Sequence, residues 1–250
     1  MTQLSISGVV RSSPSTSLKW PWLCYYLKRR LFFKNPGFIA DSTISVIHPT
    51  RRPERALQVR RQWLDCAVRP EKIEYIFAID DDDAKSVRLL SDYSHVVAPT
   101  GGRAIRPINM GARVATGDIL ITAMDDVVAP QKWDSSIRER LPTPRETHAV
   151  LAVSDGHRKD RLLVTSILTR PRYESQANIL DPAYELHGVY ADNEFTDRAY
   201  RDKVVIEAFD LVFEHDHPVF RGGELDEIYL RHNNPECYKL GYDVYKRRNG

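Results

Sequence analysis

The apolar positions of this chain form short β-rich runs that alternate with segments of helical periodicity. From residue 43, the run TISVIHPT is followed by PERALQVRRQWLDCAV, whose apolar spacing is helical after a proline suited to a first turn, and then by the β-rich run IEYIFAID. HVVAPT and DILITAM predict two further strands, and RPINMGARVATG predicts a helix that closes at Gly117. Strands that alternate with helices predict an α/β fold with a parallel sheet.

The pattern is less regular after residue 150. Three segments are strand-like, namely AVLAVSD, RLLVTSILT and KVVIEAFDLVFEH, and the loop-rich stretch NILDPAYELHGVYADNEFTDRAYR lies among them. We interpret the second half as a continuation of the same sheet, with an insertion that forms one wall of a site.

Residues 1–40 differ from the rest, and we predict an N-terminal extension followed by one domain over 41–250. The extension contains LKWPWLCYYLKRRLFF, in which aromatic and basic side chains are mixed. Residues 19–33 fit a surface helix that contacts a membrane or a partner. A helix packed on the domain is the favoured interpretation of the two, because aromatic side chains usually mean burial.

The amino-acid composition of the chain limits the classes of function that it can have. A net charge of +2 over 250 residues does not indicate a dedicated binder of polyanions. Arginine outnumbers lysine 26 to 10, which suits bidentate contact with a phosphorylated ligand, although GC-rich codon usage explains it as well. The three cysteines lie far apart, which indicates neither a disulfide framework nor a thiolate metal site. No apolar stretch reaches 18 residues, which excludes an ordinary membrane-spanning helix. We expect a cytoplasmic protein, with membrane association left open by the extension.

Acidic clusters end two of the predicted strands, at residues 80–83 and at Asp125 and Asp126. In open parallel sheets the ligand crevice lies at the carboxyl ends of the strands. A carboxylate pair there can bind a divalent cation or share a proton in acid–base chemistry, and the alternative is a solvated loop. Adjacent residues of a strand point to opposite faces, so both carboxylates reach the crevice only if the chain turns.

Several segments, taken in order, resemble the inverting family 2 glycosyltransferases of GT-A fold. They are ISVIHPTRRPERA, FAIDDDD, PINMGARVATGDILITAMDDVVAPQKW, HGVYADNEFTDRAYR and HDHP, over about residues 43 to 235. The resemblance implies a Rossmann-like, mostly parallel sheet flanked by helices. It also implies transfer of a sugar from a nucleotide-diphosphate donor, with a UDP-sugar favoured, to a hydroxyl acceptor with Mn²⁺ or Mg²⁺.

By this resemblance Asp126 is the metal-binding carboxylate of the D-x-D motif, and Asp125 lies between it and the donor sugar. Met124 departs from the motif, since it occupies the position of the first Asp. His215 and His217 are candidates for the late histidine that binds the metal or the diphosphate. A histidine kept for structure is the alternative for either one.

The resemblance assigns nucleotide recognition to the ends of the first two strands and to the following helix. Asp80, with Asp82 as the second candidate, would accept a hydrogen bond from the base. The other residues assigned to the nucleotide are Pro49, Thr50, Arg51, Arg55, Arg106, Asn109 and Gly111.

The resemblance identifies Asp192 as the base that removes the acceptor proton, since inversion needs a base opposite the leaving group. Glu194 is the rival, because Asn193 stands where the family commonly has a carboxylate. The structural alternative for Asp192 is a helix N-cap.

The acceptor remains open among a saccharide, a lipid-linked saccharide, a protein and a modified DNA base. Loops over 168–190 are expected to shape its pocket, with Arg and Tyr side chains of RPRYESQ and DPAYELHGVY. Two other functions remain possible. A nucleotidyltransferase would be expected to have a glycine-rich phosphate loop, which HPTRRPER lacks, and an inactive nucleotide-sugar-binding module would tolerate Met124.

Overall fold

The structure is a computed structural model that describes residues 41–141, 143–216 and 225–250. A seven-stranded sheet in the order β3-β2-β1-β4-β7-β6-β8 forms its centre. The four strands from β3 to β4 are parallel, β7 runs antiparallel to both of its neighbours, and β6 and β8 are parallel. The expected Rossmann-like, mostly parallel α/β fold is confirmed.

Strands and helices alternate through the first half of the described chain. The strands are β1 (Ile44–Thr50), β2 (Ile73–Asp80), β3 (His95–Ala98), β4 (Ile119–Thr122), β5 (Val127–Val128), β6 (Val150–Ser154), β7 (Ile167–Thr169), β8 (Val205–Val212) and β9 (Glu214–His215). The helices are α1 (Pro53–Asp65), α2 (Ala84–Leu89), α3 (Ile105–Val114), α4 (Trp133–Arg140), α5 (Arg170–Gln176), α6 (Ala191–Arg201), α7 (Glu227–His232) and α8 (Pro235–Asn249).

Both faces of the sheet are buried, which explains why its central strands read as continuous apolar runs. All seven residues of β1 are buried. Val46 and Ile47 belong to different core clusters, as expected for neighbours that point to opposite faces. Trp63 and Trp133 pack in the first cluster, and Phe195 packs in the second. The sheet therefore separates two layers of helices.

Two sequence predictions about elements are wrong in their extents. RLLVTSILT forms strand only at Ile167–Thr169. Helix α3 ends at Val114, and Gly117 lies beyond its end. A Cβ at Gly117 would lie 2.7 Å from the backbone nitrogen of Ser45. Glycine at 117 thus permits a close approach to β1, and helix termination does not require it.

A small two-stranded sheet positions the end of β4. After a turn at residues 125 and 126, β5 pairs antiparallel with β9, with Val127 opposite His215. This pairing brings a residue from late in the chain beside the acidic turn.

Residues 1–40 lie outside the described part of the chain, so the boundary at residue 40 and the role of 19–33 stay predictions. Among the described helices, none combines the length and the apolar character needed to cross a lipid bilayer.

Candidate active site

A cleft of about 580 Å³ opens at the carboxyl ends of β1, β2 and β4. Its opposite wall comes from the start of α6 and from α7 and α8. Eight residues that the sequence nominated line it, namely Pro49, Thr50, Arg51, Asp80, Asp125, Asp126, Asp192 and His215. The acidic turn and the candidate base therefore face one shared cavity.

The two carboxylates of the turn have different surroundings. Asp125 is buried, and its Oδ1 accepts hydrogen bonds from Thr50 Oγ1 at 2.8 Å and lies 3.0 Å from His48 Nε2. Its Oδ2 accepts a longer hydrogen bond of 3.4 Å from Arg52. Asp126 is only partly buried and faces His215. The turn thus directs one carboxylate toward the sheet and the other toward the small β5–β9 sheet.

His48, on β1, contacts Asp125 and is not among the residues nominated from the sequence. Its imidazole is fully buried, with Nδ1 2.8 Å from the hydroxyl of Tyr75 and Nε2 beside Asp125. Both ring nitrogens therefore have hydrogen-bond partners. When the Tyr75 hydroxyl donates to Nδ1, the Nε2–H group of His48 donates to Asp125. Each polar group in the series Tyr75–His48–Asp125 then has a hydrogen-bond partner.

Asp126 and His215 form a carboxylate–imidazole pair in the cleft. His215 Nε2 lies 3.3 Å from Asp126 Oδ2. Burial acts to raise the pKa of Asp126, but contact with His215 and the charge of Arg55 outweigh it and lower that pKa. An ionised carboxylate beside an imidazole is a donor set that Mn²⁺ accepts.

A complete metal cage is absent from the described part of the chain, since no three His, Cys, Asp or Glu side chains cluster there. Mg²⁺ is commonly bound through one or two carboxylates plus substrate phosphates, so two protein donors are compatible with a site completed by a diphosphate. His217, the second histidine candidate, lies outside the described residues.

At the end of β2 the cleft contains a buried carboxylate oxygen without a hydrogen-bond donor among the described residues. Asp80 is buried at the end of β2, and Arg51 lies 3.2 Å from its Oδ2. Its Oδ1 has no hydrogen-bond partner among the described residues. Burial raises the pKa of Asp80 against the opposing charge of Arg51. Arg51 also contacts Asp82, the weaker candidate of the acidic run.

The other three acidic residues of the run differ from Asp80. Asp83 caps α2 by accepting a hydrogen bond of 3.1 Å from the backbone of Ser86. Asp81 accepts a hydrogen bond of 2.9 Å from the backbone of Thr100. Asp82 is exposed. Asp80 is therefore the member of the run that the cleft buries.

Besides Asp82 and Glu194, four nominated residues do not line the cleft. Arg106 donates to Glu185 and to the backbone of the loop after β3. The Asn109 amide joins α3 to the backbone of residues 179 and 180. A Cβ at Gly111 would lie 2.6 Å from Ile47, so this glycine permits close packing of α3 on β1. Arg55 donates 2.7 Å to the backbone oxygen of Asp125, which supports the acidic turn.

The two candidate bases have different environments. Asp192 lies in the first turn of α6 and lines the cleft, whereas the N-cap of this helix is Tyr190. The N-cap alternative for Asp192 is therefore wrong. Burial raises the pKa of Asp192, and the hydrogen bond from the backbone N–H of Asn193 and the charge of Arg158 only partly offset this effect. A carboxyl group of raised pKa in a cleft suits proton transfer.

Glu194 connects two helices and does not line the cleft. It is buried away from the cleft lining, accepts 2.6 Å from the Tyr184 hydroxyl, and accepts 2.8 Å from Nε of Arg248. Burial acts to raise the pKa of Glu194, but the hydrogen bonds from Arg248 and Tyr184 lower it overall. Its oxygens join α6 to α8.

The predicted loop region over 168–190 contributes part of the cleft lining, and two further tyrosines of the lining were not nominated from the sequence. From the predicted loop region over 168–190, the lining includes Leu180, Gly188, Val189 and Tyr190. Tyr173 and Tyr184 are buried in the core, and Arg170 donates to backbone oxygens of residues 115 and 117. The remaining aromatic lining comes from the two C-terminal helices, as Tyr229 and Tyr238.

No family model matches the chain, and no curated protein matches it in sequence. Solved structures do match its fold. S. aureus TarS 1–349 in complex with UDP-GlcNAc has a TM-score of 0.56 at 13% identity, with 81% of this chain and 66% of that chain covered. The mannosyltransferase PcManGT from Pyrobaculum calidifontis, in complex with GDP-Man and Mn²⁺, has a TM-score of 0.50 at 15% identity, covering 91% and 83%.

This chain has a GT-A fold. At these identities the likeness shows the fold alone. The chain spans 37% of TarS in a further structure and 59% of TarS 1–349 in complex with UDP. Activity and substrates must therefore be argued from the cleft of this chain.

Proposed function

We propose that this protein is an inverting glycosyltransferase that moves a sugar from a UDP-sugar to a hydroxyl acceptor. One observation carries the proposal: the acidic turn with His215 and the half-buried Asp192 line the same cleft. The GT-A fold and the bound nucleotide sugars of TarS and PcManGT support a nucleotide-sugar donor.

The nucleotide would bind where β1 and β2 end. Asp80 has a buried oxygen that lacks a donor, and an unpaired buried acceptor is costly unless a ligand supplies a hydrogen bond. The imide N–H of uracil is such a donor. Pro49, Thr50 and Arg51 line the cleft beside it.

The diphosphate would lie at the Asp126–His215 pair. These two side chains would hold Mn²⁺ or Mg²⁺, which would stabilise the charge that develops on the departing diphosphate. Asp125 is engaged by His48, Thr50 and Arg52, so its contribution is to fix the turn that presents Asp126.

Asp192 would act as the base. Its carboxylate takes the proton of the acceptor hydroxyl as that oxygen bonds to the anomeric carbon. The bond from this carbon to the diphosphate oxygen breaks, the electron pair leaves with the nucleotide diphosphate, and the configuration inverts. A raised pKa makes the carboxylate a stronger base than an ordinary aspartate.

The test is release of UDP from a series of UDP-sugars, with and without Mn²⁺. We expect metal-dependent release, slow with water and faster with a suitable acceptor, and a product of inverted anomeric configuration by NMR. Nucleotide binding without release would favour the inactive binding module. Transfer of the UMP group, with the sugar 1-phosphate released in place of UDP, would favour the nucleotidyltransferase. Retention of configuration would refute inversion.

A further inference from the structure

Three tyrosines line the side of the cleft that contains the candidate base. Tyr190 directly precedes α6, Tyr229 is on α7, and Tyr238 is on α8. We call them the tyrosine wall. The Tyr238 side chain is 46% exposed, and its hydroxyl donates 3.3 Å to Asn233, which orients the ring. A large ring left open in a cleft provides apolar surface for a ligand.

The tyrosine wall is held close to Asp192 by the packing of α8. The Tyr190 ring centroid lies 5.6 Å from that of Tyr242 and 5.8 Å from that of Tyr245. A Cβ at Gly241 would lie 2.7 Å from the backbone oxygen of Val189, so glycine is required for this approach.

Tyr190 also adopts an unfavourable backbone conformation. Its φ is +70°, in the left-handed region, where the Cβ of a non-glycine residue lies too close to the backbone. Strained residues persist where the surrounding structure fixes them, and they cluster at ligand sites. In this chain the strain is located one residue before the helix that presents Asp192.

The charges at this end do not favour an anionic acceptor. Arg158 is bound to Asp160, with its Nε 2.9 Å from Oδ1. Arg103 donates to the backbone oxygens of Leu186 and Arg231. Asp155 and Asp192 also line this end, so the two arginines do not give it a net positive charge. Among the described residues, a polyphosphate or a nucleic-acid backbone would therefore meet carboxylates without a compensating basic surface.

We propose that the acceptor is a neutral saccharide whose pyranose ring stacks on Tyr238 with its hydroxyl directed at Asp192. The apolar C–H face of a pyranose matches an exposed aromatic ring, and its hydroxyl groups match the carboxylates around it. This inference rests on the proposed function, because it assigns the acceptor of that same cleft. It selects the saccharide among the acceptors that the sequence leaves open.

The experiment measures UDP release with Mn²⁺, a UDP-sugar and a panel of neutral methyl pyranosides as acceptors. Glycerol phosphate oligomers and an oligonucleotide with hydroxymethylated bases serve as anionic acceptors. The variants are Tyr238→Ala and Tyr238→Phe, and the readouts are the acceptor KM and the ratio of transfer to hydrolysis. Removing the ring should raise the KM for a pyranoside about tenfold, which corresponds to about 1.4 kcal/mol. The Phe variant should stay within about threefold of wild type, because it keeps the ring.

The outcomes separate the two proposals. Hydrolysis of the donor with no acceleration by any neutral pyranoside would overturn the acceptor assignment and leave the donor chemistry standing. The same holds if only an anionic acceptor accelerates release, or if Tyr238→Ala leaves the pyranoside KM unchanged. If wild-type protein releases no UDP with water or with any acceptor, the proposed function fails and the acceptor assignment fails with it.

Discussion

Replacing each of the two candidate bases should separate catalysis from stability. Asp192→Asn removes a carboxylate that lines the cleft, and Glu194→Gln removes one that joins two helices. We expect the first change to abolish transfer without loss of stability. We expect the second to lower stability while turnover continues.

The cost of Glu194→Gln follows from its contacts. Its carboxylate accepts 2.6 Å from Tyr184 and two hydrogen bonds of 2.8 Å from the Arg248 guanidinium. Hydrogen bonds to charged groups contribute about 1.5–3 kcal/mol, and glutamine keeps part of this set. Arg248 is 40% exposed, so solvent screens the lost ion pair. We therefore expect a loss of about 2 kcal/mol, or a fall in Tm of roughly 4–8 °C.

Asp192→Asn should lower kcat and should leave the Tm unchanged or raise it. Loss of general base catalysis lowers kcat by about 10²–10⁴. Burial raises the pKa of Asp192, so the folded protein binds this proton more tightly than the unfolded chain does. Stability therefore falls as pH rises through the interval between the two pKa values, and the ionised group is destabilising at neutral pH. Asparagine removes that charge, so Tm should stay constant or rise.

The assay combines thermal denaturation with UDP release measured at least 10 °C below the lower Tm. Donor binding, followed by the thermal shift with added UDP-sugar, checks that both variants retain the nucleotide site. If Glu194→Gln stops turnover at that temperature while Asp192→Asn retains it, the assignment of the base is wrong.

Three further predictions concern the metal, the pH profile and the packing of α8. Chelation of divalent metal should stop UDP release. Asp126→Ala or His215→Ala should raise the Mn²⁺ concentration needed for half-maximal turnover. If the Mn²⁺ titration of these variants is unchanged, the two residues do not bind the metal. Turnover should fall in acid as Asp192 becomes protonated, at a pH above its ordinary pKa of 3.8, and a limb at or below that value would contradict the role of burial. Gly241→Ala should cost about 1–3 kcal/mol by overpacking against Val189 and should raise the acceptor KM, measured by denaturation and by transfer kinetics.

The strands of the sheet were predictable because burial on both faces leaves continuous apolar runs. The adjacency of Asp126 and the cleft was predictable for the same reason, since the end of a central strand has a fixed place in an open sheet. Helix α3 was predictable as an element, but the contacts of its side chains were not. Asn109 bonds to residues 70 and 71 positions later, and local periodicity contains no information about such a partner.

The aromatic lining was predicted only in part. RPRYESQ and DPAYELHGVY were expected to line the acceptor pocket; Tyr190 of the second segment lines the cleft, whereas Tyr173 and Tyr184 are buried in the core. The sequence pattern around an aromatic residue in a loop-rich stretch is the same whether its ring packs in the core or lines a ligand pocket. Tyr238 lies beyond the end of the recognised motifs, on a helix whose packing depends on Gly241.

The clearest signal that was overlooked is His48. A polar residue within a strand of otherwise buried character must have hydrogen-bond partners, so its presence predicts a second polar group nearby. That group is Asp125, 77 residues away, on the strand end that neighbours β1. Met124 then becomes understandable, because its side chain packs against both core clusters where a first motif carboxylate would stand. With His48, Thr50 and Arg52 fixing Asp125, the turn that presents Asp126 is held without that carboxylate.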